Sequence, residues 1–405
     1  MIPQNSLFFK VFKKESEKLS LVGIVAEFNP FHNGHKYLIN CAKDDGHHIC
    51  AVISANFVQR GETAIISKFD RTKQALLCGV DIVIELPTPW AMSTAQNFAL
   101  GAISQLNAIG VDMLYFGSEC GSIENLTKAA NIISSNEFSK KLKEKLTTNK
   151  TFAKLRQELL NEYSRDLGKL LDNPNDTLAI EYIISAQQIN PNIKFKAIKR
   201  IGAQHNDASA TQHYSTATLI REAVLKNKTS NLEKYLPSQS LSVLKSCPKA
   251  NLLNLETAIL SELRRLSVDE ISKLPDISEG LENLIFQAIR EAKSLDELIE
   301  KVKSKRYTHA RIRRIILNAF LGIDNSFFKK IPPYVRVLGF NNTGKNYLTK
   351  ESIKPIITRV SQINLLDSFS KKVFETECRV TDLWALSLES PAECTMDLTT
   401  PIIKV

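Results

Sequence analysis

The sequence predicts an α/β protein, with a mostly parallel sheet covered by helices on both faces, followed by a mainly helical C-terminal region. Three observations predict it. Short apolar, β-branched runs alternate with helical patterns through the first half of the chain. From about Lys226 to about Asn325 the pattern becomes almost wholly helical. Pro332-Pro333 then breaks it, and the remainder mixes short strands and turns.

Residues 1–20 are basic, and their apolar run Leu7-Phe8-Phe9 is too short for the core of a signal peptide, so they read as an N-terminal extension. The run 21–26 reads as a buried strand, with a helix from Lys36 onward. Further strands are expected over 48–53, 81–86, 112–116 and 193–198, with helices over 68–78 and 95–108 between them. The charged, helix-favouring segment 125–172 reads as a helical insertion. The expected organisation is an extension (1–20), an α/β nucleotide-binding catalytic unit (21–225) and a mainly helical region (226–405) that binds nucleic acid.

The 405 residues carry a formal net charge of +10, which favours an acidic partner such as nucleic acid. The seven cysteines are scattered and never spaced Cys-x-x-Cys. A disulfide framework and a zinc ribbon are therefore not expected, and a reducing cytoplasm fits. No apolar run is long enough to span a bilayer.

The most informative stretch is Glu27-Phe28-Asn29-Pro30-Phe31-His32-Asn33-Gly34-His35, between the first strand and the first helix. Two imidazoles there can donate hydrogen bonds to phosphate oxygens, and Gly34 lets the backbone approach. The helix start is expected to add unpaired N–H groups and the positive end of its dipole. Such donors suit nucleotidyl transfer, where charge builds on phosphate oxygens in the transition state. No nearby acidic or cysteine ligands complete a metal site around His32 and His35.

Ser215-Thr216-Ala217-Thr218-Leu219-Ile220-Arg221 opens a second helix with hydroxyls. The hydroxyls can be plain caps, or they can grip a triphosphate from the side opposite the histidines, with Arg221 stabilising charge as pyrophosphate leaves. Gln59-Arg60-Gly61-Glu62 and Ser67-Lys68-Phe69-Asp70-Arg71 read equally as solvated loop with charged helix ends or as a loop over the pocket. Glu85 and Gly117-Ser118-Glu119 fall at carboxyl ends of strands, where ligands of such sheets bind. Asn175 lies in a turn that starts a helix, and Arg200 closes the fifth strand. The stretch 301–323 holds Lys301, Lys303, Lys305, Arg306, Arg311, Arg313 and Arg314 with no acid among them, which points to a phosphate backbone.

These motifs resemble the bacterial tRNA(Met) cytidine acetate ligases, within the nucleotidylyltransferase superfamily. The resemblance runs from Gly23 to His35 and through Gln59-Arg60-Gly61-Glu62, Ser67-Lys68, 79–87 and 116–119. It continues at Asn173-Pro174-Asn175, Arg200, 216–221 and Ser304-Lys305-Arg306-Tyr307-Thr308 with Arg311-Ile312. It departs at Ser54-Ala55-Asn56-Phe57 and His205-Asn206. It implies a Rossmann-like nucleotidylyltransferase sheet and an enzyme that uses ATP to activate acetate and acetylates N4 of the wobble cytidine of elongator tRNA(Met). ATP is then a substrate, with room for Mg2+ on its phosphates. The implied ATP site is Val25-Ala26-Glu27-Phe28-Asn29-Pro30-Phe31-His32-Asn33-Gly34-His35-Lys36-Tyr37-Leu38 with Gly117, Asn175 and Arg200. His32, His35 and Arg221 are the expected catalytic groups. Adenylyl transfer to a small phosphorylated metabolite, and an RNA-binding protein with a regulatory nucleotide site, are the alternative readings of the same residues. Oligomeric state is not legible in the sequence.

Overall fold

A computed structural model describes residues 20–145, 151–201, 215–278, 280–304, 307–348 and 352–405. Residues 1–19 of the expected extension, His205-Asn206, and Lys305 and Arg306 of the basic stretch lie outside the described residues.

Strands β1 (Leu21–Ala26), β2 (His48–Ser54), β3 (Ile82–Leu86), β4 (Met113–Ser118) and β5 (Lys194–Lys199) form on the five expected runs. They pair in parallel in the order β3-β2-β1-β4-β5. The two-residue alternation of a strand sends successive side chains to opposite faces. Leu21, Cys50, Val52, Ile82 and Ile84 therefore enter one apolar core, and Val22, Ile24, Ile49, Ala51 and Val83 enter another. Helices α1 (Asn33–Asp44) and α2 (Lys68–Leu77) supply Ile39, Ala42, Phe69 and Leu76 to the second core. On the other face α3 (Ala95–Ala108) and α4 (Pro174–Ile189) supply Ile103, Leu106, Ile180 and Ile183. The insertion before α4 is helical, as in Ile123–Ile133 and Phe152–Tyr163. Beyond α5 (Ala217–Leu225), helices continue to α6 (His309–Leu321), and α7 (Ser368–Ala385) follows later.

The sheet does not end at residue 225. Strand β6 (Val335–Phe340) lies antiparallel on the free edge of β3, and β7 (Ile356–Ile357) and β8 (Ile403–Lys404) pair in parallel with β6. Strand β3 is buried along its whole length, so its outer N–H and C=O groups need a partner that water cannot provide.

A buried ion cluster joins the first half of the chain to the last. The Lys68 ammonium contacts the Glu85 and Asp397 carboxylates, and Arg336 of β6 contacts Asp397; Lys68, Glu85 and Asp397 are fully buried. Lys68 is neither a solvated helix end nor part of a loop over the pocket, and Glu85 faces this cluster rather than a ligand. Arg71 is equally buried. It donates to the carbonyls of Glu27, Ser54 and Ala55 and so ties together the carboxyl ends of β1 and β2.

Candidate active site

Strand order reverses at β1, whose neighbours β2 and β4 continue in opposite directions across the sheet. That reversal opens a crevice beyond the carboxyl ends of β1 and β4, where sheets of this kind bind ligands. The chain leaves β1 through Glu27–Pro30 and enters α1 at His32, the N-cap residue. Phe28 has φ of +47°, an unusual conformation for a side chain of that size. Its ring is pinned against Phe31 and His35, with centroids 4.9 and 5.0 Å away.

The two histidines cap the helix reciprocally. His32 Nδ1 accepts from the N–H of Gly34 at 3.0 Å, and the N–H of His32 donates to His35 Nδ1 at 3.2 Å. Each Nδ1 must therefore carry its lone pair, which leaves the proton of each neutral ring on Nε2. The rings stack with centroids 3.8 Å apart and planes 22° apart. A side chain at Gly34 would place Cβ 2.9 Å from the His32 ring, so the glycine makes room for the imidazole itself. Burial, together with Arg200 and Arg221, lowers the His32 pKa to about 3. Burial, His32 and Arg200 hold His35 well below its usual value. Both rings are neutral Nε2–H donors at physiological pH.

The expected free N–H groups at the start of α1 are already bonded. Asn33 N–H donates to the Tyr235 carbonyl at 2.8 Å, Gly34 to His32 Nδ1, and His35 to the His32 carbonyl at 2.9 Å. The turn and the Tyr235 carbonyl together satisfy these donors, and this leaves the imidazole Nε2–H groups, rather than the backbone, to face the cavity.

Distant segments bring further groups to the same crevice. Thr216 caps α5 through the Leu219 N–H. One turn on, Arg221 donates to the Asn29 carbonyl at 3.1 Å and to Glu62 Oε2 at 2.8 Å. Arg200 bonds through its backbone N–H to the Ser118 carbonyl at 2.9 Å, and its side chain lies over Gly117. Asn175, at the start of α4, donates its amide N–H to Glu119 Oε1 at 2.5 Å and lines the crevice. Glu27 accepts the Gln59 N–H at 3.0 Å, and burial raises its pKa.

Together these surround a cavity of about 690 Å³, within the range of small-molecule sites. Val25, Ala26, Glu27, Phe28, His32, Gly34, His35, Tyr37, Leu38, Gly117, Asn175, Arg200 and Arg221 all line it. Five expected residues stand behind the wall. Asn29 accepts the Ile65 N–H, Pro30 continues the same turn, Phe31 is buried, Asn33 binds the Lys234 carbonyl and Lys36 the Cys78 carbonyl. Their side chains and ring contacts shape the turn that carries the histidines. Tyr182, Phe98, Leu171, Thr308 and Ala310 also line the cavity and were not expected. Phe98 and Tyr182 sit on helices where their apolar side chains read as core, and Thr308 reads as a plain helix cap. Among the described residues no group of three His, Cys, Asp or Glu side chains is placed to hold a metal ion.

The basic stretch differs from expectation. Arg311 donates to the Asp276 carbonyl, Arg314 Nη2 pairs with the Asp276 carboxylate at 2.8 Å, and Arg313 pairs with Glu62 at 3.1 Å. Lys301 pairs with Glu291 at 3.0 Å. The acids that pair with Arg313 and Arg314 come from other elements, which a local count of charges does not reveal, whereas Lys303 pairs with Glu300 at 3.7 Å just ahead of the stretch.

A Rossmann-like order of strands, a His-x-Gly-His turn at its reversal and an arginine closing the crevice define a nucleotidyltransferase. The model of the HIGH Nucleotidyl Transferase family matches residues 19–397. The tRNA(Met) cytidine acetate ligase of Thermoanaerobacter sp. (strain X514) is 40% identical over 403 residues, 96% of this chain and 100% of that protein. That of Clostridium kluyveri is 40% identical over 372 residues, 84% of this chain and 90% of its own. The crystal structure of apo Thermotoga maritima TmcAL superposes with a TM-score of 0.91 at 33% identity, covering 96% of this chain and 100% of that one. The form bound with alpha-thio ATP gives 0.89 at 32%, with the same coverage. The chain belongs to the tRNA(Met) cytidine acetate ligase family.

Proposed function

We propose that this protein is an ATP-dependent ligase that activates acetate as acetyl-adenylate and acetylates N4 of the wobble cytidine of elongator tRNA(Met). An acetate oxygen attacks the α-phosphorus of ATP, the α–β bond breaks, and pyrophosphate leaves. The exocyclic amine then attacks the carbonyl carbon of the mixed anhydride, loses a proton and displaces AMP. Such an amine is a weak nucleophile, so a preformed acyl donor is required. The Nε2–H groups of His32 and His35 and the Arg221 guanidinium would meet the charge that develops on the phosphates. Asn175 offers its amide and Arg200 a cation to the nucleotide, and Mg2+ would travel with the triphosphate. Acetate and the tRNA are the partners in this reading, and the cytoplasm is its setting, consistent with the cysteine usage. No helix among the described residues is long and apolar enough to cross a membrane.

The observation that carries the reading is the convergence of the histidine pair and Arg221 on one cavity whose lining also includes Thr308 and Ala310 of the helical region. An anticodon loop presents an unstacked base cheaply to such a cavity. Incubation with ATP, labelled acetate and tRNA tests it. Acetate-dependent pyrophosphate release with label in tRNA(Met) is expected. Adenylylation of a phosphorylated metabolite, or nucleotide binding without turnover, would replace the reading.

A further inference from the structure

The loop Gln59–Glu62 joins two parts of the molecule that are far apart in sequence. Its Glu62 carboxylate spends one oxygen on Arg221, at 2.8 Å, and the other on Arg313 of α6, at 3.1 Å. At its other end the Gln59 N–H binds Glu27 at the exit of β1. Between them Gly61 has φ of +72°, and a Cβ there would stand 2.6 Å from Arg313 Cβ, so the turn is pressed directly onto α6.

An arginine side chain loses considerable rotamer freedom when it is held in one orientation. Arg221 is held by three acceptors: the Asn29 carbonyl, Thr218 Oγ1 at 3.3 Å, and Glu62. Only Glu62 among them is charged, and charge-assisted bonds are the stronger ones. Glu62 is itself braced by Arg313, which prevents it from following Arg221. We infer that Glu62 is a positioning residue for adenylate formation: its carboxylate, braced by Arg313, holds the Arg221 guanidinium where the leaving pyrophosphate needs it. The inference rests on the ligase reading given above.

The test uses the full-length protein and follows acetate-dependent pyrophosphate release. Glu62→Gln removes the charge and keeps the shape. A misplaced rather than missing group lowers the rate, here by about 10- to 100-fold in kcat, with KM for ATP little changed. In the Glu62→Gln background, Arg221→Lys should add much less loss than it causes alone, since both changes disturb one unit. A wild-type kcat in folded Glu62→Gln overturns the inference, as do losses that multiply independently in the double variant. Should Glu62→Gln fail to fold, Glu62→Asp, which keeps the charge but cannot span both arginines, is subjected to the same two readouts. Wild-type protein that releases no pyrophosphate would instead overturn the ligase reading.

Discussion

The His32 ring lies 3.8 Å from the His35 ring, and each Nδ1 accepts a backbone N–H from the turn that carries them. The helix cap thus sets the tautomer of both rings and directs both Nε2–H groups away from the helix. Two neutral donors can stack at that distance, whereas two imidazolium rings would repel. The same contacts that start α1 therefore fix both imidazoles before any ligand arrives, so in the proposed reaction they would need little reorganisation.

His35→Ala removes one of these donors. Acetate-dependent pyrophosphate release should fall by about 100- to 1,000-fold, while affinity for tRNA, measured by filter binding, stays close to that of the unaltered protein. Loss of tRNA binding with retained pyrophosphate release would contradict the role given to the ring.

The depressed pKa values make a stability prediction with a definite sign. An unfolded histidine takes its proton near pH 6.5 (about 6.5), whereas folded His32 resists it until about pH 3. Below the unfolded value the unfolded chain binds more protons, so stability falls as pH is lowered from there toward the folded value. His32→Asn removes that contribution. Between pH 7 and pH 5 the variant should lose less stability in denaturant titrations than the unaltered protein. An equal loss in both would show that the ring is protonated in the fold. Nitrogen chemical shifts of both rings should remain those of the neutral Nε2–H form over the same interval.

Lys68→Met removes one of the two cations, Lys68 and Arg336, that the buried Glu85 and Asp397 share. Although burial works against its charge, Asp397 and Glu85 hold the lysine pKa above its usual value. Removing one member of such a buried cluster costs about 3–5 kcal/mol, which urea denaturation would register as a lower midpoint. An unchanged midpoint would mean that the remaining Arg336 suffices to neutralise both carboxylates.

Arg314 holds Asp276 through two nitrogens, at 2.8 and 2.9 Å. Arg314→Met should lower thermal stability and leave the salt dependence of tRNA binding unchanged. A slope of log K against log[salt] reduced by about 1 would instead place this arginine on the nucleic-acid backbone.

The parallel sheet, its five first strands and the position of the His-x-Gly-His turn between strand and helix were determined by the sequence alone. A buried parallel strand reads as a short, continuous apolar run, and His32, Gly34 and His35 stand within four residues of one another between strand and helix. Those signals are local. The tertiary structure alone decided that β6 from residue 335 onward completes the sheet, that Lys68 and Arg71 are buried, and that Glu62 links Arg221 to Arg313. It alone decided that Asp276 and Glu62 neutralise arginines whose own neighbourhood holds no acid. Pairings of charges and edges across hundreds of residues depend on how the chain returns on itself, and nothing in the spacing of neighbouring residues encodes that return.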